Sequence, residues 1–236
     1  MLDVSVEWGV HGARHLTGSC DVLIIVDVLS FSTAVTVAVE RGAKVWPHPG
    51  GEQARVLARE ISAILAGNRG SHDGPTLSPV SLAELADGSR LVLPSPTGFS
   101  ISSAAASSEV PLVVGCLRNA LAVAQHVAGH ERIGIVPAGE RWADDSLRPA
   151  YEDWIGTGAL VERLLKCVPG TELSPQAEAA AAAFRLLRPL TECPCGAELA
   201  GRGFLEDVHI SAELDASDVV PVLRDGRFVA ASPGPV

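Results

Sequence analysis

The stretch VLIIVDVLSFSTAV, residues 22–35, joins an apolar segment to a polar turn and then to a second apolar segment. Its first five residues are aliphatic and mostly β-branched, which is typical of a strand buried on both faces. Asp27 follows directly, and three hydroxyl side chains come next: Ser30, Ser32 and Thr33. The length of the segment 31–40 and its Arg41-Gly42 ending favour a helix, although its Val and Thr residues favour a strand. We therefore predict a strand, a turn carrying a carboxylate, and a helix.

Strands and helices alternate along the rest of the chain. Further apolar runs of strand length lie at 4–8, 43–46, 91–93, 112–114 and 133–136. Helical spacing predicts helices over 52–65, 119–127, 151–165 and 175–187. Asp225-Gly226, between two apolar runs, predicts an antiparallel hairpin. The pattern predicts a three-layer α/β/α fold with a mixed, largely parallel sheet and a C-terminal β-hairpin. No domain boundary is evident in the sequence, so we treat residues 1–236 as one domain. Two intertwined halves would also fit the pattern.

Composition narrows the choice of partners. The chain has 236 residues, of which 47% are hydrophobic, so it can bury a large core. Its formal net charge of −10 argues against nucleic-acid binding. No apolar run approaches the roughly 20 residues of a membrane span, and the odd count of five cysteines argues against a disulfide framework. We expect a cytoplasmic protein, and the composition is compatible with a homodimer.

Small polar turns follow four of the predicted strands. Asp27 and the hydroxyls follow the first; the others are followed by residues 94–98 (PSPTG), 115–119 (GCLRN) and 137–140 (PAGE). Ligands of parallel sheets bind beyond the carboxyl ends of the strands, and such turns let backbone N–H groups approach an anion. A carboxylate at a strand tip can hold a hard cation, although it can also simply cap the next helix. An anionic ligand would need such local devices, because the net charge repels it.

For three other polar segments, a structural role is the alternative to a functional one. Glu152 and Asp153 can both reach one site only near a helix start, and an acidic first turn is the simpler interpretation. The segment 140–145 has the composition of a solvated loop. The CPCG stretch at 193–196 lacks the second cysteine pair or spaced histidines of a zinc site. Common phosphate-loop, dinucleotide and nucleophile-elbow motifs are absent from the sequence.

Taken in order, four motifs resemble those of the 2-phosphosulfolactate phosphatase family. They are VDVLSFSTAVTVAVERGA at 26–43, SPTGF at 95–99, GCLRNALAVA at 115–124, and Ala138-Gly139 followed by EDWIGTG at 152–158. The resemblance implies a Mg²⁺-dependent phosphatase that hydrolyses a small anionic phosphate monoester, such as 2-phospho-3-sulfolactate, to 3-sulfolactate and phosphate.

The resemblance also implies roles for individual residues. Asp27 and Asp153 would hold the metal, and Glu152 or Asp153 would orient the attacking water. The implied substrate-binding residues are Ser30, Ser32, Thr33, Arg69, Ser95, Thr97, Gly98, Arg118, Asn119 and Gly139. Ser30, Asn68 and Thr97 depart from the family pattern, which has Arg, Glu and Asn there. The departures leave open an alternative, a catalytically weakened homologue that binds an anionic metabolite as a sensor or carrier.

Overall fold

The computed structural model describes residues 2–71 and 74–232. Its strands are β1 (Asp3–Val6), β2 (Val22–Val26), β3 (Lys44–His48), β4 (Ile64–Leu65), β5 (Arg90–Pro94), β6 (Leu112–Gly115), β7 (Arg132–Pro137), β8 (Glu140–Arg141), β9 (Leu147–Arg148), β10 (Glu172–Leu173), β11 (Pro221–Arg224) and β12 (Arg227–Ala230). Its α-helices are α1 (Gly9–Leu16), α2 (Phe31–Glu40), α3 (Gly51–Glu60), α4 (Pro79–Leu82), α5 (Pro96–Ala106), α6 (Ala120–Val127), α7 (Tyr151–Cys167), α8 (Pro175–Arg185), α9 (Pro194–Gly201) and α10 (Leu205–Ala212).

Ten of these strands form one mixed sheet in the order β10-β1-β7-β2-β6-β11-β12-β3-β5-β4. The first five are parallel to one another, and so are the last three. The C-terminal hairpin, β11 and β12, lies between the two groups and pairs antiparallel with β6 on one side and β3 on the other. The two parallel groups therefore run in opposite senses. This topology confirms the predicted fold class and the hairpin.

Helices cover both faces of the sheet. Side chains alternate along a strand, so Leu23 and Ile25 of β2 join the core beneath α1, α2 and α5, whereas Ile24 packs with α6 and α7 on the other face. All three side chains are fully buried. Each contributes roughly 1.5–3 kcal/mol through burial, which explains the uninterrupted apolar run before Asp27. Among the described residues, no helix combines the length and apolarity that crossing a membrane requires.

Some predicted boundaries are confirmed and others are wrong. Helix α2 spans 31–40 as predicted, and the fully buried hydroxyl of Thr36 is satisfied by donating a hydrogen bond to the carbonyl of Ser32 (2.8 Å). The predicted helix 52–65 is too long, because Ser62 adopts a positive φ of 51° and residues 64–65 pair with β5. In the predicted loop 68–79, residue 67 pairs with residue 76, while residues 72 and 73 lie outside the described part. Helices α1, α4, α5, α9 and α10 had not been predicted.

Candidate active site

The turn between β2 and α2 is held together by its own hydroxyls. Ser32 Oγ accepts the backbone N–H of Asp27 (2.9 Å) and donates to the carbonyl of Ile25 (3.2 Å). Thr33 Oγ1 donates to the carbonyl of Val28 (2.7 Å). Both side chains are fully buried, so they shape the turn from inside. Ser30 is partly exposed at the start of α2 and makes no capping hydrogen bond, which leaves its hydroxyl available to a ligand.

Asp153 joins the tips of two neighbouring strands. Its Oδ1 accepts the backbone N–H of Val28, just after β2, and its Oδ2 accepts that of Gly139, just after β7; both distances are 2.8 Å. The side chain is 3% exposed and projects from the first turn of α7. One buried carboxylate thus holds Asp27's turn and the 137–140 turn together.

Gly139 is required by the shape of its turn. Its φ is +69°, and a Cβ there would lie 2.7 Å from Leu147 and 3.0 Å from the carbonyl oxygen of Arg148. The chain then enters the two-stranded β8–β9 sheet, where Glu140 pairs with Arg148. This close approach places Glu140 beside the Asp27 turn. Residues 140–145 are all exposed, as expected of the solvated loop predicted there, but that prediction gave Glu140 no place in the site.

Four carboxylates share this site: Asp27, Glu140, Glu152 and Asp153. Burial and the charges of Glu140 and Glu152 raise the pKa of Asp27 to about 7, against the opposing effects of the Phe31 N–H and the Arg69 charge. Glu140 is exposed at the rim of the site, where partial desolvation and the Glu152 charge likewise raise its pKa.

The pKa of Asp153 is also raised, mainly by burial and then by the charges of Asp27 and Glu152, while its two backbone hydrogen bonds lower it. Mutual repulsion of this kind is relieved by a cation, and carboxylate oxygens are the ligands that Mg²⁺ and Ca²⁺ prefer. The donor set therefore fits a hard divalent cation.

Two buried thiols border the carboxylates. Cys193 donates its S–H to Glu152 Oε2 (3.5 Å), and Glu152 is 2% exposed. One ligand atom from each of Glu140, Glu152 and Cys195 lies within 4.8 Å of the others. Burial raises the pKa of Cys193 to about 11 and also raises that of Cys195, so both thiols are protonated at neutral pH. Neither is therefore suited to act as a nucleophile, and the set is not the four-sulfur or sulfur–imidazole set of structural zinc.

Two arginines lie beside the carboxylates. Arg69 Nη2 donates to the carbonyls of Leu29 (3.1 Å) and Leu77 (3.3 Å), and its charge lowers the pKa values of Asp27 and Glu140. Arg148, opposite Glu140 on β9, also lowers the pKa of Glu140. These cations can bind the oxygens of an anionic ligand next to the carboxylates.

Other predicted residues are placed elsewhere. Arg118 pairs with Glu213 and, at 3.6 Å, with Glu40 at the far end of α2, a helix of ten residues and hence about 15 Å long. Asn119 is fully buried, and its side chain accepts the N–H of Cys116 (2.9 Å) and donates to two backbone carbonyls. Neither residue touches the four carboxylates among the described contacts.

The 95–98 turn begins α5 and packs on the start of α2. Ser95 Oγ accepts the N–H of Gly98 (3.3 Å), and a Cβ on Gly98 would lie 2.5 Å from the Phe31 ring. These two residues therefore have structural roles. Thr97 instead lines a cavity of about 320 Å³ together with Trp8, Ala138, Arg141 and Leu147. Arg141 and Leu147 are paired with each other one position along from Glu140 and Arg148, so they face away from the carboxylates.

The fold and the site together define an α/β protein with a carboxylate-rich site, flanked by arginines, at the carboxyl ends of its central parallel strands. The sequence profile described as 2-phosphosulpholactate phosphatase matches residues 11–226. The chain therefore belongs to the 2-phosphosulfolactate phosphatase family, whose members are phosphoric monoester hydrolases. This confirms the family predicted from the four motifs.

Similar proteins have matching lengths. The chain is 30% identical over 212 residues to the 2-phosphosulfolactate phosphatase of Methanothermobacter thermautotrophicus, covering 87% of this chain and 88% of that protein. It is 27% identical over 217 residues to a probable 2-phosphosulfolactate phosphatase of Pseudothermotoga lettingae, covering 90% and 93% respectively. The similarity thus includes the strands, turns and helices that build the site.

Proposed function

We propose that the protein is a Mg²⁺-dependent phosphatase that hydrolyses a small anionic phosphate monoester, with 2-phospho-3-sulfolactate as the first substrate to test. The observation that carries this proposal is the double hydrogen bond of Asp153, which gathers Asp27, Glu140 and Glu152 at one point. The names of the relatives support the choice of substrate.

In this proposal, Asp27 binds the metal. Asp153 binds it too, through the oxygen lone pairs that do not accept the N–H groups of Val28 and Gly139. Bound there, Mg²⁺ would neutralise charge on the phosphoryl oxygens, which is the main requirement of phosphoryl transfer. The raised pKa of Asp27 supports this assignment, because a cation would restore its charged form.

The chain's own residues supply the rest. Arg69 binds a phosphoryl oxygen, and the Ser30 hydroxyl and the start of α2 donate to another. Glu152 accepts a proton from the attacking water as the water oxygen forms its bond to phosphorus. The ester P–O bond breaks, and the leaving alkoxide takes up a proton from the solvent while Glu152 releases its own to the solvent, so the products are the hydroxy acid and inorganic phosphate.

A phosphate-release assay tests the proposal. Purified protein is incubated with 2-phosphosulfolactate and with an aryl phosphate, each with Mg²⁺ and with a chelator, beside the variant Asp27→Asn. We expect release of phosphate that requires both the metal and Asp27. Metal-independent release, or full activity of Asp27→Asn, would contradict it.

The same assay addresses the alternative of a sensor or carrier, for which tight binding of the ester without turnover is the expected result. Family membership favours the enzyme. The homodimer and the cytoplasmic location stay predictions, and light scattering on the purified protein measures the first of them.

A further inference from the structure

Asp207 is a buried carboxylate outside the four-carboxylate site. It lies on α10 and is 2% exposed. Its Oδ2 is 3.0 Å from Arg69 Nε, in an ion pair that falls outside the geometry of a linear hydrogen bond. Its Oδ1 accepts the hydroxyl of Ser78. A buried carboxylate is expensive to keep unless its charge is matched, so the position of Asp207 is tied to that of Arg69.

The Arg69 guanidinium is held from several sides. Nη2 donates to the two carbonyls of Leu29 and Leu77, Nε faces Asp207, and the Phe204 ring centroid is 5.8 Å from Cζ. Nη1 has no hydrogen-bond partner within residues 2–71 and 74–232. This leaves one nitrogen of a fixed cation for a ligand oxygen.

Asp207 also counteracts the electrostatic attraction of the site carboxylates for Arg69. The arginine charge already lowers the pKa values of Asp27 and Glu140, so both carboxylates attract it. Without the countercharge of Asp207, the guanidinium could move onto those carboxylates and compete with a metal ion for them. An arginine side chain carries about 2 kcal/mol of rotamer entropy, so an unheld one must also be ordered at each binding event.

We propose that Asp207 is a positioning residue, which holds Arg69 so that Nη1 can bind a phosphate oxygen of the substrate while Asp27 remains free for the cation. This inference rests on the proposed phosphatase function. It assigns Asp207 no contact with the substrate, so its whole effect on catalysis passes through Arg69.

A double-mutant cycle tests that dependence. The wild type, Asp207→Asn, Arg69→Ala and the double variant are compared in kcat/KM for ester hydrolysis and in the Kd of inorganic phosphate, with Mg²⁺ present. We expect Asp207→Asn to lower kcat/KM by about 10–100-fold and Arg69→Ala by about 100–1,000-fold. The double variant should match Arg69→Ala within about twofold, because Asp207 has nothing left to position.

Ser78→Ala is the matched control, since it removes the hydrogen bond that Ser78 donates to the Asp207 carboxylate and keeps the ion pair. Its kcat/KM should stay within about threefold of the wild type. Thermal unfolding of all variants separates stability from kinetics. If Asp207→Asn does not fold, Asp207→Glu takes its place in the cycle, because it keeps the charge and displaces the carboxylate.

The outcomes separate this inference from the proposed function. If the wild type hydrolyses the ester but the effects of Asp207→Asn and Arg69→Ala multiply, the positioning role is refuted and the phosphatase function stands. If the wild type neither hydrolyses the ester nor binds phosphate, the proposed function fails and this inference fails with it.

Discussion

Replacing Asp153 with Ala should lower the free energy of unfolding by about 2–6 kcal/mol, because two buried N–H groups would lose their acceptor. Val28 and Gly139 each donate to the Asp153 carboxylate at 2.8 Å. The side chain is 3% exposed, so bulk water does not reach these donors. An orphaned buried donor costs about 1–3 kcal/mol, and two of them give the stated range. Since domains of this kind are stable by only about 5–15 kcal/mol, the loss should be easy to measure.

Charge repulsion opposes part of this loss. Burial, together with the charges of Asp27 and Glu152, raises the pKa of Asp153. A carboxyl whose pKa is higher in the folded state stabilises the fold below its unfolded pKa, about 3.9, and this contribution is lost as the pH rises through the folded value. The penalty of Asp153→Ala should therefore be larger at pH 5 than at pH 8. Asp153→Asn keeps one acceptor oxygen, so its loss should be about 1–3 kcal/mol.

Urea unfolding followed by circular dichroism, in metal-free buffer at both pH values, measures these differences. Asp218→Ala is the matched control, because that side chain is exposed and makes no hydrogen bond or ion pair with the described residues. It should change the free energy of unfolding by less than about 0.5 kcal/mol. An Asp153→Ala protein with the wild-type urea midpoint and slope would refute the bridging role of Asp153.

Three further predictions concern the same site. Asp27→Asn should raise the thermal midpoint in metal-free buffer, since it removes one of four repelling carboxylates, and should abolish the stabilisation by Mg²⁺; scanning fluorimetry checks both. Calorimetry should show that the apparent Mg²⁺ affinity rises by up to about tenfold per pH unit as the pH approaches the pKa of Asp27, about 7, because metal binding displaces the proton of Asp27. An affinity that stays constant from pH 5.5 to 7 would contradict this. Gly139→Ala should destabilise the protein and reduce activity, because its φ is positive and its Cβ would meet Leu147, whereas Gly170→Ala, with a similar φ and open space, should lose only about 1 kcal/mol and keep full activity.

Much of the fold was predictable because burial leaves a periodic signal. Strand β2 is fully apolar since both of its faces are covered, and α2 is bounded by polar turns at each end. Helix α5 was missed because its sequence, PTGFSISSAAA, contains small and hydroxylated residues whose apolar contrast is weak. The extent of α3 was overestimated because the pattern cannot show that Ser62 takes a positive φ.

The site was only partly predictable, because its members come together through backbone contacts. Asp27 and Asp153 could be proposed from strand tips and family resemblance, but the hydrogen bonds of Asp153 to two turns depend on how α7 packs across the sheet. Glu140 and Arg148 were missed, since a short antiparallel pair, and no sequence motif, brings them to the carboxylates. Arg118 matched the motif, yet Glu40 and Glu213 hold it at the opposite end of α2.

The net charge of −10 raises the question of how an anionic ester could bind at all. Long-range repulsion is screened within about 8 Å at physiological ionic strength, so only the groups next to the ligand decide its binding. There the sequence sets four carboxylates against Arg69 and Arg148, a local imbalance that by itself favours a cation over an anion. A divalent cation would cancel this imbalance and bind the ester between itself and Arg69. Binding should then be ordered, with the metal before the ester. The excess of acidic residues is needed to bind the metal, and once the metal is bound it no longer repels the substrate.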